Sequence, residues 1–312
     1  MTMQRLLIDT DPGVDDALAI LMAHAHPSTR IEALTIAAGN VGLGHTVANA
    51  LKLCEVAGID APVFAGAPLP LVATPEDAAF VHGKDGFGDT GYTPAQASAQ
   101  TEHAALAMIR LSKQHPGELT FVMLGPLTNL ALALSLDPEL PSRVKRLVIM
   151  GGAVTGHGNT KLPVEFNTGF DPEAARIVFD RWPSFDLSDW EATLRHGLSH
   201  ANCDAWFGAD HPVARFYDSI SRNTRAWAAQ RRGEDWHSAD ALAMAMVLEP
   251  EHAIETAQRW VTVELAGEHA RGMTVVDWQQ RSGKAANARI LLRYEQARFE
   301  AMVRSAVGAS AL

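Results

Sequence analysis

Cysteine is scarce in this chain of 312 residues. Its two cysteines, Cys54 and Cys203, are far apart, and neither belongs to a Cys-x-x-Cys pair. This spacing argues against a disulfide framework and against a zinc knuckle. Isolated thiols are typical of proteins in a reducing compartment, so we expect a cytoplasmic protein.

Long apolar runs and an excess of positive charge are also missing. No stretch of about 18 apolar residues occurs, so we expect neither a signal peptide nor a membrane span. The 26 lysines and arginines are outnumbered by 36 aspartates and glutamates, for a formal net charge of −10. An acidic chain repels phosphate backbones and anionic lipid, so nucleic acid and membrane surfaces are disfavoured as partners.

The sequence contains no internal repeat and no linker rich in proline, serine or glycine that would divide it. Hydrophobic residues make up 47% of the chain, which is enough to bury a large core. We therefore predict one domain over residues 1–312.

Short apolar runs alternate with segments of helical spacing. Strands are predicted at residues 6–8, 31–37, 62–65, 119–124, 146–150, 260–265 and 273–277. Helices are predicted at residues 14–24, 46–57, 102–115, 127–136, 173–180, 212–230 and 239–248. This rhythm predicts an α/β fold with an open, mostly parallel mixed sheet and helices on both faces, around a Rossmann-like core. Such sheets bind ligands at the carboxyl ends of their strands.

Four carboxylates crowd the end of the first predicted strand, where residues 9–16 read DTDPGVDD. Like charges this close raise one another's pKa unless a cation compensates, and clustered oxygen ligands suit Ca²⁺ or Mg²⁺. The alternative is that Asp15 and Asp16 only complement the helix dipole in the first helical turn. That alternative leaves Asp9 and Asp11 unexplained, so a metal site is favoured.

This segment resembles the opening motif of the nucleoside hydrolases, the inosine-uridine preferring type included. Further matching segments follow in order along nearly the whole chain: AGN at 38–40, HGKDG at 82–86, LGPLTN at 124–129, MGG at 150–152, GNT at 158–160, EFN at 165–167, DPEAA at 171–175, DALA at 240–243 and GMTVVD at 272–277. Each is weak alone, but the ordered series is specific. The resemblance implies a nucleoside hydrolase fold.

The resemblance also implies a calcium site and a mechanism. Ca²⁺ would be held by Asp11, Asp16 and Asp240 together with the main-chain carbonyl of Leu124. Three carboxylates and a carbonyl leave room for a water and for sugar hydroxyls in a shell of six to eight oxygens. The ion would lower the pKa of its bound water, and Asp11 would take the proton of that water as general base.

Five further polar residues correspond to substrate-binding positions of the resembled family: Asp15, Asn40, Asn159, Glu165 and Asn167. Carboxylates and amides suit sugar hydroxyls, which both donate and accept hydrogen bonds. Ordinary turn formation is the alternative for Asn159 and Asn167, and a surface salt bridge is the alternative for Glu165. Phe166 is either a wall of the ribose pocket or core packing, and His82 lies either beside the substrate or in a solvated loop.

One departure from the family pattern concerns the leaving group. Many nucleoside hydrolases place a histidine directly before the aspartate of the late helix, but here Ala239 precedes Asp240. The chain thus resembles branches that lack the His-Asp pair. His237 lies nearby in a different register and is retained as a candidate substrate-binding residue and leaving-group acid. Trp190, Trp227 and Trp236 are candidates for stacking on the base, although tryptophans more often belong to the core.

The leading hypothesis is hydrolysis of the N-glycosidic bond of ribonucleosides to ribose and free base, without a covalent intermediate. The partner is then a small-molecule ribonucleoside, and the resemblance implies a homodimer or homotetramer. Two alternatives remain: a non-catalytic protein that binds calcium and ribonucleosides, and a phosphatase of the haloacid dehalogenase type, which also places Asp-x-Asp after its first strand.

Overall fold

A central sheet of eight strands runs through the protein. The computed structural model describes residues 3–232 and 235–309. The strands in this part of the chain are β1 Gln4–Thr10, β2 Thr29–Ile36, β3 Val63–Ala65, β4 Leu119–Met123, β5 Arg146–Met150, β6 Phe185–Ser188, β7 Leu198–Ser199, β8 Asp235–Trp236, β9 Ala253–Arg259, β10 Val261–Val263, β11 Thr274–Val276 and β12 Ala288–Tyr294.

The strand order of the large sheet is β3-β2-β1-β4-β5-β6-β12-β9. All neighbours pair in parallel except β12 and β9, which are antiparallel. This arrangement confirms the predicted α/β class with an open, mostly parallel mixed sheet. Two small antiparallel pairs, β7–β8 and β10–β11, lie outside it.

Helices cover both faces of the sheet. They are α1 Val14–Ala25, α2 Leu43–Ala57, α3 Ala79–His82, α4 Ala104–Gln114, α5 Thr128–Leu136, α6 Leu140–Arg143, α7 Phe166–Phe170, α8 Pro172–Arg181, α9 Trp190–Leu194, α10 His200–Phe207, α11 Pro212–Arg232, α12 Ala239–Leu248 and α13 Gln296–Ala306. Successive side chains of a strand point to opposite faces. Accordingly, Leu6 and Ile8 of β1 join the core beneath α1 and α12, and Leu7 joins the core beneath α4 and α5. None of the described helices is long and apolar enough to cross a bilayer.

The first half of the chain follows the predicted pattern closely, whereas the second half does not. Strands β6, β9 and β12 of the large sheet were not predicted. Strand β9 is an edge strand with Ile254, Glu255, Thr256 and Gln258 exposed, so it lacks the apolar run of a buried strand. The two late strands that were predicted exist as β10 and β11, but they pair with each other outside the large sheet.

The parallel order gathers several loops at one edge of the sheet. Strands β2, β1, β4, β5 and β6 are consecutive neighbours, and all run in the same direction. The segments that follow their carboxyl ends are therefore adjacent in space, although the strand ends are spread from Thr10 to Ser188 in the sequence. A binding site is expected at this edge.

Asp171, at the junction of α7 and α8, ties three parts of the fold together. It is fully buried, and its carboxylate accepts hydrogen bonds from Ala174 N at 3.0 Å, Thr128 Oγ1 at 2.7 Å and Leu71 N at 2.9 Å. The first of these bonds caps the amino end of α8.

We expect Asp171→Ala to lower the free energy of unfolding by roughly 2–4 kcal/mol, because it removes a helix cap and leaves buried donors unpaired. Denaturant unfolding measures this loss. The exposed Asp60 offers a control, since Asp60→Ala should change stability by less than about 0.5 kcal/mol. Equal stability of the two variants would contradict the assignment.

Candidate active site

A cavity opens where the loops after the parallel strands meet. Residues from both halves of the chain line it, and among them are Asp11, Asp15, Asn40, His82, Leu124, Asn159, Glu165, Phe166, Asn167, His237 and Asp240. Every site residue proposed from the sequence except Asp16 thus reaches one cavity. Asp16 is fully buried and lies behind the lining.

Asp11 is held between two glycines, with its backbone just beyond the end of β1. A Cβ atom at Gly39 would lie 2.1 Å from Asp11 Oδ2, and one at Gly125 would lie 2.3 Å from Asp11 Oδ1. These glycines follow β2 and β4, so they allow the neighbouring strands to close on the carboxylate from both sides. Asn40 N donates to Asp11 Oδ2 at 2.6 Å. The orientation of this carboxylate is therefore strictly defined.

Asp16 organises the turn that carries Asp11. Its Oδ1 accepts from Thr10 Oγ1 at 2.5 Å and from Asp11 N at 3.3 Å, and its Oδ2 accepts from Gly13 N and Asn40 Nδ2, both at 3.0 Å. The charge of this side chain is thus stabilised by four donors from the same loop cluster.

The carboxylate oxygens of Asp15, Asp16 and Asp240 come together within 4.8 Å of one another. Burial raises the pKa of Asp240 well above its ordinary value, and the nearby carboxylates add to the shift. Burial and the charge of Asp16 do the same to the pKa of Asp11. The described residues that line the cavity include no lysine or arginine to balance this charge. A hard cation fits such a donor set.

The group of Asp15, Asp16 and Asp240 differs in one carboxylate from the calcium ligands implied by the resemblance, because it contains Asp15 in place of Asp11. Asp15, assigned to ribose on sequence grounds, stands with Asp16 and Asp240 in the tightest carboxylate group. Asp11 lies in the same cavity beside them. The Leu124 carbonyl also reaches this cavity, where it accepts a hydrogen bond from Asn167 Nδ2 at 2.7 Å.

Glu165 and its neighbours form a second polar wall. Glu165 is 2% exposed, caps the amino end of α7 and accepts from Gly152 N at 2.8 Å and Asn167 N at 3.0 Å. A surface salt bridge, the alternative considered from the sequence, is wrong for this residue. Burial raises the pKa of Glu165 to about 7. Asn159 Oδ1 accepts from Phe166 N at 2.8 Å, so the Asn159 side chain is braced against the same helix start.

His82, at the end of α3, is buried rather than solvated in a loop. Its Nδ1 accepts from Val14 N at 3.2 Å, and its Nε2 lies 4.0 Å from Asp15 Oδ1. Burial lowers the pKa of His82 to about 4. The ring is therefore neutral near pH 7, with its proton on Nε2.

Aromatic side chains form the remaining wall of the cavity: Phe80, Phe166, Trp190, Trp227 and Trp236. The rings of Phe80 and Trp227 meet edge to face, with centroids 6.3 Å apart. Trp236 is 2% exposed and belongs to the core as well. Sequence reasoning missed Phe80, and also Thr224 and Ala228 of α11. The position of Phe80 two residues before His82 could have indicated that it lies near the site. The sequence of α11 contains no comparable motif.

Comparison with known proteins now decides the family. The sequence matches the family described as inosine-uridine preferring nucleoside hydrolase over residues 6–301. The chain belongs to this nucleoside hydrolase family. It is therefore an enzyme of the class that hydrolyses N-glycosyl compounds.

Relatives of this nucleoside hydrolase agree in sequence and in fold. It is 35% identical to the non-specific ribonucleoside hydrolase RihC of Salmonella enteritidis PT4 (strain P125109), over 92% of each chain. It is 46% identical to uridine nucleosidase 1 of Arabidopsis thaliana over 56% of this chain, a match that spans 53% of that protein. The solved inosine-guanosine nucleoside hydrolase superposes with a TM-score of 0.92 at 32% identity, over 99% of both chains.

Membership in the family bears on the alternatives. It argues against a phosphatase of the haloacid dehalogenase type and against a non-catalytic binding protein. The structure places an alanine where many family members have a histidine before the aspartate of the late helix. Ala239 is the first residue of α12 and lies in the cavity directly before Asp240.

The raised carboxyl pKa values predict how stability of the metal-free protein depends on pH. The pKa is about 6 for Asp15 and about 7 for Glu165, both above the unfolded values near 4. A group whose pKa is raised by folding contributes stability at low pH that is lost as pH rises through the folded pKa. In EDTA, the melting temperature should fall by roughly 5 °C between pH 5.5 and 8.

A divalent cation should reverse this fall, because it compensates the ionised carboxylates. Asp240→Asn should flatten the pH profile, whereas Asp77→Asn at an exposed position should leave it as in the wild type. A melting temperature in EDTA that does not change over this pH range would contradict the interpretation.

Proposed function

We propose that the protein hydrolyses the N-glycosidic bond of ribonucleosides, releasing ribose and the free base. The observation that carries the proposal is the position of Asp11. It is a buried, rigidly oriented carboxylate just beyond the end of β1, in the same cavity as Asp15, Asp240 and Glu165.

The polar side chains would bind the sugar. Asp15, Asn40, Asn159, Glu165 and Asn167 together offer carboxylate acceptors and amide donors, the combination that ribose hydroxyls require. Glu165 and Asn167 are themselves held by main-chain groups, so little ordering is needed when the sugar binds. Phe166 would provide the apolar surface beside them.

Asp11 would act as the general base. It accepts a proton from water, whose oxygen forms a bond to the anomeric carbon while the bond from that carbon to the base nitrogen breaks. Without a cation, burial and neighbouring carboxylates raise the pKa of Asp11. The positive charge of a bound cation would favour the ionised form, which can accept the proton. The same carboxylates would stabilise the positive charge that develops on the ribose.

Calcium is the proposed cation, with Asp11, Asp16, Asp240 and the Leu124 carbonyl as its ligands. Asp15 is close enough to join them. When bound, the ion would supply positive charge that lowers the pKa of a coordinated water. The all-oxygen donor set favours Ca²⁺ or Mg²⁺ over softer metals.

The aromatic wall would receive the departing base. Phe80, Trp190, Trp227 and Trp236 offer ring faces and edges, and base stacking on such surfaces tolerates purines and pyrimidines alike. His237, which follows β8, would deliver a proton to the base in place of a histidine at position 239. The bond electrons leave with the base nitrogen, and this proton neutralises them.

Incubation with inosine, uridine, adenosine and cytidine in the presence of Ca²⁺, followed by assay of free ribose, tests the activity. We expect ribose release, and we expect Asp11→Asn to lower kcat by about 10³-fold because the base is lost. Asp60→Asn is the control at an exposed position. Full activity of Asp11→Asn would overturn its assignment, and no ribose from any nucleoside would overturn the proposed function.

The role of His237 as leaving-group acid can be tested by comparing a substrate that needs protonation of its leaving group with one that does not. We expect His237→Ala to slow inosine hydrolysis by about 10²-fold. Without a proton from this residue, the base must leave as an anion, which is a poor leaving group. With p-nitrophenyl riboside, whose phenolate leaves readily, the same variant should keep its rate within about threefold. Equal losses on the two substrates would show that His237 does not protonate the base.

A further inference from the structure

The loop between β5 and α7 is held along its length by three consecutive residues of the neighbouring segment. Trp190 N donates to Gly152 O at 2.9 Å, and Asp189 Oδ2 accepts from Val154 N at 2.9 Å. Glu191 continues the series farther out along the same loop. The pairing of β5 with β6 is thus extended beyond the strands by main-chain and side-chain hydrogen bonds.

The carboxylate of Glu191 forms hydrogen bonds with the outer part of this loop. Its carboxylate accepts from Thr155 N at 2.7 Å, Thr155 Oγ1 at 2.5 Å and His157 N at 3.2 Å. Glu191 is 5% exposed, and among the described residues no lysine or arginine pairs with it. The basic group nearest to it is His157, whose Nδ1 lies 3.8 Å from Glu191 Oε1. A buried carboxylate is costly unless donors satisfy it, and here the donors come from residues 155–157.

Capping of α9 does not account for Glu191. That helix is capped by Asp189, whose Oδ1 accepts from Ala192 N at 2.9 Å. The hydrogen bonds of the Glu191 carboxylate are therefore made to the loop and not to the amino end of α9.

The anchored residues lead directly to Asn159 through a tight turn. Gly158 N donates to Leu162 O at 3.0 Å, and Asn159 N donates to Val164 O at 3.2 Å. A Cβ atom at Gly158 would lie 2.1 Å from Val164 O, so the two backbone segments of the turn are in close contact here. A shift of residues 155–157 would consequently move Asn159 within the cavity.

We propose that Glu191 is a positioning residue of this nucleoside hydrolase, which holds Asn159 in place for the substrate by fixing residues 155–157. The inference rests on the proposed function, in which Asn159 binds the ribose. Glu191 does not line the cavity and so acts only through the loop.

Substitutions of Glu191 with graded loss of anchoring provide the test. Glu191→Ala removes all the acceptors, and KM should rise about tenfold with kcat lowered less than threefold. A tenfold change corresponds to 1.4 kcal/mol, about the contribution of one hydrogen bond to a charged group. Glu191→Gln keeps an acceptor for the loop amides and a donor for Thr155 Oγ1, so it should keep KM within about threefold of the wild type.

Two further variants separate positioning from general stability. Glu249→Ala removes another buried carboxylate, at the opposite end of α12 from Asp240, where it pairs with Arg298. This control should lower the melting temperature but leave KM unchanged. Thr155→Val removes one hydrogen bond and leaves the Glu191 carboxylate in place, so it should raise KM about two- to threefold. This variant still tests the inference if Glu191→Ala does not fold.

A double-mutant cycle shows whether the effect passes through Asn159. In an Asn159→Ala background, adding Glu191→Ala should change KM by less than about twofold, because coupled residues are not additive. Full additivity, or an unchanged KM in both Glu191→Ala and Thr155→Val, would overturn the inference.

Hydrogen exchange makes the anchoring measurable without turnover. The amides of Thr155 and His157 should exchange faster in Glu191→Ala than in the wild type and the Glu249→Ala control. If the wild type releases no ribose from any nucleoside, the proposed function fails, and Glu191 positions nothing for it. If the wild type is active but exchange at residues 155–157 is unchanged, only the positioning role of Glu191 is overturned.

Discussion

Repulsion among buried carboxylates at one edge of the sheet is the constraint on which this structure depends. Asp15 and Asp16 lie in the first turn of α1, and Asp240 lies in the first turn of α12. These two helices pack against each other, and their first turns meet, because carboxylate oxygens of the three residues lie within 4.8 Å of one another. The partial positive charge of both helix ends eases the repulsion but does not cancel three or four full charges. A bound cation would complete the balance.

The surrounding loops are shaped by the need to hold these charges apart in fixed directions. Thr10, Gly13 and Asn40 donate to Asp16, and Gly39 and Gly125 allow strand ends to close around Asp11. Each of these residues looks unremarkable alone. Together they give the carboxylate oxygens of Asp11 and Asp16 a defined environment, and preorganised charge of this kind is what stabilises a charged transition state.

The rest of the cavity has two kinds of surface, one polar and one aromatic. The polar wall around Glu165 is braced by main-chain donors of the β5–α7 loop, and that loop is in turn held by Asp189 and Glu191. The aromatic wall draws Phe80 from α3 and Trp227 from α11. In the proposed reaction, the sugar would therefore meet rigid, directional groups, whereas the base would meet ring surfaces. Such a division suits an enzyme that recognises ribose closely and the base loosely.

The sequence by itself determined the fold class, the acidic motif of residues 9–16 and the family. Period and spacing are local properties, and a dense set of aspartates after a buried strand is costly to fold unless a cation binds there. It also indicated Asn159, Glu165 and Asn167 as members of one site. Strand β9 escaped prediction because an exposed edge strand carries no apolar run, and β10 and β11 showed their strand character without their partners.

Only the tertiary structure decided which residues meet. Asp240 joins Asp15 because α12 packs on α1, and Phe80 reaches the cavity because α3 lies against α11, contacts between elements remote in sequence. The placement of His82 in a buried niche, rather than in solvent, was decided in the same way. Burial and proximity arise from packing across the whole chain, and no local pattern of residues encodes them.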